Sequence, residues 1–237
     1  MKSWHRGRVG LRTDQGVHHE DRRHPPGRPH HPWGRRLRTR RPPYPRRRRH
    51  PHLRHDLWDA ITSPERIPRW FLPITGELRL GGRYQLQGNA GGQITRCEPP
   101  RILALTWEFG GEVSWVDVVL EEDGDGARLH LEHTAHVDDD RWRQFGPGAV
   151  GVGWDLTLLG LGLHVAGGET RDPAAEGAAW ARSDEGKAFI RRSSDAWRAA
   201  SVAAGTDPAE AAKAAAGTTA FYTGDGGEGP PADPTDG

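Results

Sequence analysis

The sequence predicts an α+β fold, one antiparallel sheet with helices laid on one of its faces. Three observations carry this. Residues Gly76–His136 break into short runs rich in Val, Ile, Leu, Thr and Trp, punctuated by Gly or Pro, which is a meander signal. Several runs alternate apolar and polar residues, so one face of the sheet is greasy and the other wet. The informative stretches on either side read as helix.

In chain order, Asp56–Thr62 carries Leu57, Trp58 and Ile61 at amphipathic spacing. Ser63-Pro64-Glu65 is a second helix start, with Ile67, Trp70 and Phe71 following and Pro73 as the stop. Six strands are expected: Glu77–Leu80, Arg83–Gln87, Gln93–Glu98, Arg101–Phe109, Val113–Glu121 and Ala127–His136. Their breaks are Gly81-Gly82, the Gly88–Gly92 cluster, Pro99-Pro100, Gly110-Gly111 and Asp123–Gly126. In the fourth, Leu103, Leu105, Trp107 and Phe109 share a face; in the last, Leu129, Leu131 and His133 do. The fifth is less clean, with Val116, Val118 and Leu120 opposite Val113, Trp115, Asp117 and Val119.

Asp138–Phe145 reads as a turn or short helix, ended by Gly146-Pro147-Gly148. From Ala149 to Val165, Val150, Trp154, Leu158 and Leu161 form one helical stripe, widened by Leu156, Leu159 and Leu163. Gly151, Gly153, Gly160 and Gly162 each cost that helix about 1 kcal/mol against Ala, so they are expected to leave room for close approach to another surface. Gly167–Ala181 reads as a polar loop. Ser183 caps a helix running to about Ala204, with Phe189, Ser193, Trp197 and Ala200 on one face. Asp207-Pro208-Ala209-Glu210 caps another that ends before Gly224. The expected organisation is a disordered segment at 1–55, a folded domain at 56–205, a C-terminal helix at 206–223 and a disordered Gly/Pro/Asp tail at 224–237.

Charge divides the chain sharply. Residues 1–55 hold 16 Arg, one Lys and three acidic residues, a balance of +14, and contain no Ala, Ile or Phe. The remaining 16 basic and 29 acidic residues give −13. A segment so poor in apolar residues cannot offset its conformational entropy. Three origins fit it: a phosphate-binding tail using Arg35–Arg41 and Arg46–Arg49, with Trp33 and Tyr44 to stack on bases; a solvated tail without a role; or GC-rich coding sequence read in the wrong frame, the reading its composition favours. The single cysteine, Cys97, excludes an internal disulfide and points to the reducing cytoplasm. No uninterrupted apolar run reaches the roughly 18 residues of a membrane span, so no membrane partner is expected.

Chemistry is sparse. The Gly-Gly pairs sit at hairpin turns, and no phosphate loop or nucleophile elbow occurs. His133 and His136, three apart in a strand, point to opposite faces, which argues against a metal shared with Asp138–Asp140. Cys97 lacks a neighbouring His or Lys to activate it. No catalytic residue, cofactor or metal is therefore assigned, and the chain reads as a binding protein more than an enzyme. The aromatic inventory is the remaining signal: Trp58, Trp70, Phe71, Trp107, Phe109, Trp115, Trp142 and Trp154, which either pack a core or line an apolar pocket.

Trp58–Phe71 resembles the N-terminal signature of activator-of-heat-shock-protein-90-ATPase-like domains, in the SRPBCC (birch-pollen-allergen-like, helix-grip) superfamily. Gly81–Tyr84, Ile94–Pro100, Leu105–Glu108 and Leu129–Thr134 match the same pattern in the same order, so the resemblance covers roughly residues 56–165. It implies a curved, seven-stranded antiparallel sheet wrapped around a long C-terminal helix, with a cavity between them. One departure stands out. The family's first strand falls where this chain has Tyr44–Arg54, whose prolines and arginines cannot form a central strand, so six strands are expected here.

The cavity-lining candidates are then Trp70, Phe71, Leu105, Trp107, Phe109, Val118, Leu131, His133, Trp154 and Leu158, with His133, Glu108 and Asp155 as the polar groups able to orient a ligand. The expected occupant is an apolar small molecule, or else a protein partner. Two alternatives stay open: a cyclase- or hydrolase-like enzyme using the same cavity, as some superfamily members are, and nucleic-acid binding through residues 1–55.

Overall fold

A computed structural model of the protein describes residues 8–11, 53–123, 126–167 and 173–225. Expectations for residues 1–7, 12–52 and 226–237, including disorder and the wrong-frame origin, lie outside the described residues. Two parts of the 1–55 segment do carry regular structure: Arg8–Leu11 is a strand, and Leu53–His55 open a helix.

The described elements run β1 (Arg8–Leu11), α1 (Leu53–Thr62), a short 3-10 helix (Ile67–Arg69), β2 (Ile74–Gly76), β3 (Arg83–Leu86), β4 (Gly91–Glu98), β5 (Ile102–Phe109), β6 (Glu112–Asp123) and β7 (Gly126–His136). Five helices follow: α2 (Asp139–Phe145), α3 (Gly148–Val165), α4 (Pro173–Ala181), α5 (Asp184–Ala203) and α6 (Pro208–Thr223). The sheet is antiparallel throughout, in the order β1-β7-β6-β5-β4-β3-β2. This is the predicted α+β helix-grip architecture.

Three local expectations are corrected. Glu77–Leu80 is a turn, in which Arg79 N–H reaches the Glu77 carbonyl and Gly82 N–H the Arg79 carbonyl; the strand falls earlier, at Ile74–Gly76, paired to Leu86–Tyr84. Gly76, at φ 105°, turns the chain out of that strand, so the later alternation of Leu78 and Leu80 is not sheet. The supposed loop Gly167–Ala181 contains α4, which packs on α5 with Trp180 against Phe189. And the place beside β7 is filled: the six strands from Ile74 to His136 are joined by β1, in register Arg8↔His136 through Leu11↔His133. Without that pairing β7 would offer a long edge of unpaired backbone groups.

β4 carries the bend that shapes the sheet. Its register against β5 shifts between Ile94 and Arg96, an extra residue on one strand. The bulge reverses the alternation, so Ile94 and Cys97, three apart, face the same side. β5 to β7 then run long and regular, Leu105↔Val116 and Val118↔Leu131 being directly opposed. Val116, Val118, Leu120, Leu129 and Leu131 are all buried on the helix-covered face.

α3 has two working faces. Toward the sheet it turns Trp154, Leu158 and Leu161 at helical spacing. Toward α5 and α6 it turns glycines. A Cβ on Gly151 would stand 2.1 Å from Cε2 of Trp197, one on Gly148 3.1 Å from the Thr218 side chain, and one on Gly153 2.8 Å from the Tyr222 hydroxyl. Of the four glycines expected to allow close approach, Gly151 and Gly153 do so toward the C-terminal helices and Gly160 toward the Trp70 carbonyl, while Gly162 faces open space. Polar bonds finish the joint: Trp197 Nε1–H donates to Asp155 Oδ2 at 3.0 Å, Ser193 Oγ–H donates to the same oxygen, and Tyr222 O–H donates to the Ala149 carbonyl at 2.7 Å. Because the glycines interrupt the apolar run, the sequence does not register that α3 is, among the described residues, the one helix long and apolar enough to cross a membrane by length and composition. Here it lies between sheet and helices, with Val152, Leu158 and Leu161 buried.

Alanine substitutions separate the two kinds of glycine. Gly151→Ala is expected to lower unfolding stability by about 1–3 kcal/mol, the usual cost of overpacking a tight joint. Gly162→Ala, where a Cβ meets nothing within 4 Å, should raise it by up to about 1 kcal/mol through helix propensity alone. Urea unfolding of the two variants checks both signs.

Candidate functional site

The pleat of β3 to β7 and the helical stripe of α3 face each other without meeting everywhere. Between them lies a cavity of about 310 Å³. Its floor is Leu103, Leu105 and Trp107 from β5, Val116 and Val118 from β6, and Leu129 and Leu131 from β7; its roof is Trp154, Thr157, Leu158 and Leu161. α1 and the 3-10 helix close one side with Trp58, Ile61, Ile67, Trp70 and Phe71. Trp70 and Phe71 stack at 5.7 Å between ring centroids, and Trp70 Nε1–H is fixed on the Ala60 carbonyl at 2.9 Å.

That side wall is anchored by Arg66. Its Nη1 donates to Asp56 Oδ1 at 2.7 Å and Asp59 Oδ2 at 2.9 Å, holding α1 against the turn that follows it. Its Nε donates to His164 Nε2 at 3.3 Å, tying both to the last turn of α3. Burial, and then the nearby Arg66 and Arg69 charges, push the His164 pKa down, consistent with a neutral ring accepting that bond.

Eight of the ten cavity candidates stand on the wall: Trp70, Phe71, Leu105, Trp107, Val118, Leu131, Trp154 and Leu158. Phe109 does not. It ends β5 at the Gly110-Gly111 turn, beyond the reach of α3, and is 60% exposed. His133 does not either. It is buried behind the two tryptophans, its ring 6.1 Å from Trp107 and 5.9 Å from Trp154.

His133 is fully occupied there. Trp154 Nε1–H donates to His133 Nδ1 at 3.0 Å, so the ring proton sits on Nε2, which donates to Ser114 Oγ at 2.8 Å. Ser114 O–H in turn donates to the Trp107 carbonyl at 3.0 Å. Burial pushes the imidazole pKa down to about 4. The other two polar candidates also point elsewhere. Glu108 pairs with Arg83 at 2.6 Å and accepts from Thr106 Oγ1; these contacts, the Arg83 bond first, lower its pKa. Asp155 holds Ser193 and Trp197 on the α5 side of α3.

Residues passed over in the sequence supply the rest of the wall. Tyr84 and Leu86 alternate inward on β3, a legible period of two; Cys97 arrives only through the β4 bulge. The cavity's hydroxyls are spent on backbone: Tyr84 O–H on the Thr106 carbonyl, Thr62 on Trp58, Thr157 on Gly153. Burial raises the Tyr84 pKa, with the Glu108 charge adding to it, and burial raises that of the free Cys97 thiol. Both are uncharged at neutral pH. Among the described residues no three His, Cys, Asp or Glu side chains gather as a metal site.

Comparisons with known proteins match this layout. A family model described as Activator of Hsp90 ATPase homolog 1-like protein matches residues 52–165. The solution NMR structure of CalU16 from Micromonospora echinospora is 38% identical, covering 63% of this chain and 81% of its own length, with a TM-score of 0.53. The crystal structure of the same protein gives 40% identity, 54% and 78% coverage, and a TM-score of 0.43. Protein MLL2253 from Mesorhizobium loti is 22% identical over 52% of this chain and 93% of its own, at a TM-score of 0.43. No curated protein matches the chain.

The His133 relay sets a pH dependence. Above its ordinary pKa of 6.5 the ring is neutral in folded and unfolded chains and contributes no slope. Between pH 6.5 and about 4 the unfolded chain binds a proton that the folded one refuses, so stability falls with falling pH. The loss should reach roughly 3 kcal/mol at the acid end. Urea unfolding across this window should show the slope reduced by about one proton in His133→Gln, which keeps an acceptor for Trp154.

Proposed function

The chain belongs to the activator of Hsp90 ATPase homolog 1-like family, and on that premise we propose that its cavity binds an apolar small molecule. One observation carries the reading: the space is bounded almost wholly by apolar and aromatic side chains, while Thr62, Tyr84, Trp70, Trp154 and Thr157 all direct their polar atoms into the protein. A volume of about 310 Å³ falls at the lower end of small-molecule sites. A ligand there gains affinity by shedding water from its own surface and from the wall, so recognition rests on shape and size rather than on polar contacts.

The same geometry speaks for binding over turnover. Acid–base chemistry needs a titratable pair within reach of the substrate, and the cavity's titratable wall groups are Tyr84 and Cys97, both held neutral by burial. An unpaired thiol in the wall suits a reducing compartment, which keeps the cytoplasm as the proposed location.

Thermal melts against fatty acids and fused-ring aromatics test the proposal. A true ligand at a hundred times its Kd should stabilise the protein by about 2.7 kcal/mol, and calorimetry should give a negative heat-capacity change. Val118→Phe, which projects a ring into the space from the floor, should weaken binding at least roughly tenfold while the free protein melts within a few degrees of the parent. A panel in which nothing shifts the melt, or a ligand indifferent to Val118→Phe, rejects the reading.

A further inference from the structure

The cavity under the sheet stops along one oblique line that crosses four elements. On β5 its lining ends at Trp107, the next residue of that phase being the exposed Phe109. On β6 it ends at Val116, short of Ser114, and on β7 at Leu131, short of His133. On α3 it ends at Trp154, short of Val150. The register explains the slant: Trp107 lies opposite Ser114, and Val116 opposite His133. At the other end the lining reaches the surface at the exposed Pro99, in the turn before β5, beside Cys97. From Leu103 to Trp107 the β5 floor runs about 13 Å at ordinary strand rise.

The closed end is stiff. The Trp107 and Trp154 rings meet there at 5.2 Å between centroids, and Trp154 Nε1–H is held by His133. An apolar group pushed past them would pull the indole off His133 and strand buried polar atoms, which is costly. Trp107 enters the relay through its carbonyl alone, so shortening its side chain leaves the three bonds in place.

We propose that the Trp107–Trp154 pair is an end stop that fixes ligand length, the cavity taking an unbranched apolar tail, tip first, from the Pro99 end. The proposal rests on the reading of this cavity as the binding site.

NMR titration of the full chain with primary alkanols, from butanol to dodecanol, tests it. Affinity should climb about fourfold per added methylene and cease climbing at one chain length, where the tip meets the indoles. Trp107→Leu should move that limit to longer chains, the second alkanol past the parent's limit binding this variant about tenfold tighter than the parent. Phe71→Leu, a comparable truncation in the side wall, should leave the limit where it was. On the parent chain, needing no variant, the terminal methyl should give nuclear Overhauser contacts to the Trp107 and Trp154 ring protons, and the carbinol methylene none. A limit unmoved by Trp107→Leu, one moved equally by Phe71→Leu, or a methyl in contact with neither indole overturns the end stop while leaving the binding site standing. Failure of every alkanol to bind overturns both.

Discussion

The hydrogen bond from Trp154 Nε1–H to His133 Nδ1 sets how helix and sheet can meet. It crosses from α3 to β7, and its other end continues through Ser114 to the backbone of Trp107. Each bond is worth only about 1 kcal/mol net, but breaking one strands a buried polar atom at a cost of about 1–3 kcal/mol. The relay therefore fixes one imidazole tautomer and holds Trp107 and Trp154 at 5.2 Å between centroids. Over the middle of α3, no such bond among the described residues draws Leu158 and Leu161 down onto Leu105 and Val118. The tryptophan pair acts as a spacer, and the cavity is the gap it props open.

Arg66 does the corresponding job at the far end of α3, where it bonds His164 and both aspartates of α1. The cavity thus lies between two polar fastenings, each of which accepts an N–H on a neutral histidine. The wall between them is left to apolar packing. Gly160 belongs to this arrangement, since a Cβ there would stand 2.8 Å from the Trp70 carbonyl. The side wall comes close to the helix because that position is bare.

Much of the fold was readable because its signals are local. Glycine pairs mark the hairpins at Gly81-Gly82 and Gly110-Gly111, and the Trp154, Leu158, Leu161 stripe needs only helical spacing. What was not readable depends on partners far along the chain. His133 shares a face with Leu129 and Leu131 and so reads as facing the cavity; its bond to Trp154, 21 residues away, turns it into core. Asp155 sits one residue after Trp154 yet faces α5, where its oxygen accepts from Trp197, 42 residues further along the chain. Phe109 keeps the inward phase of Leu105 and Trp107 but outruns the helix that would cover it. Cys97 fails for the opposite reason: a bulge changes its phase, and nothing in Ile94–Cys97 announces the extra residue. β1 was missed because four residues with Val9 and Leu11 make a strand only when β7 offers them an edge.

The family match ends at Val165, but the physical unit does not. Gly148, Gly151 and Gly153 are notches cut in α3 to the shapes of Thr218, Trp197 and Tyr222, all of which arrive later in the chain. A notch has value only while something fills it. The shared domain has thereby become captive to its appendage: grafted onto a relative that lacks the later helices, this α3 would bring three hollows and an acid with no one to answer it, so the two parts can change only together.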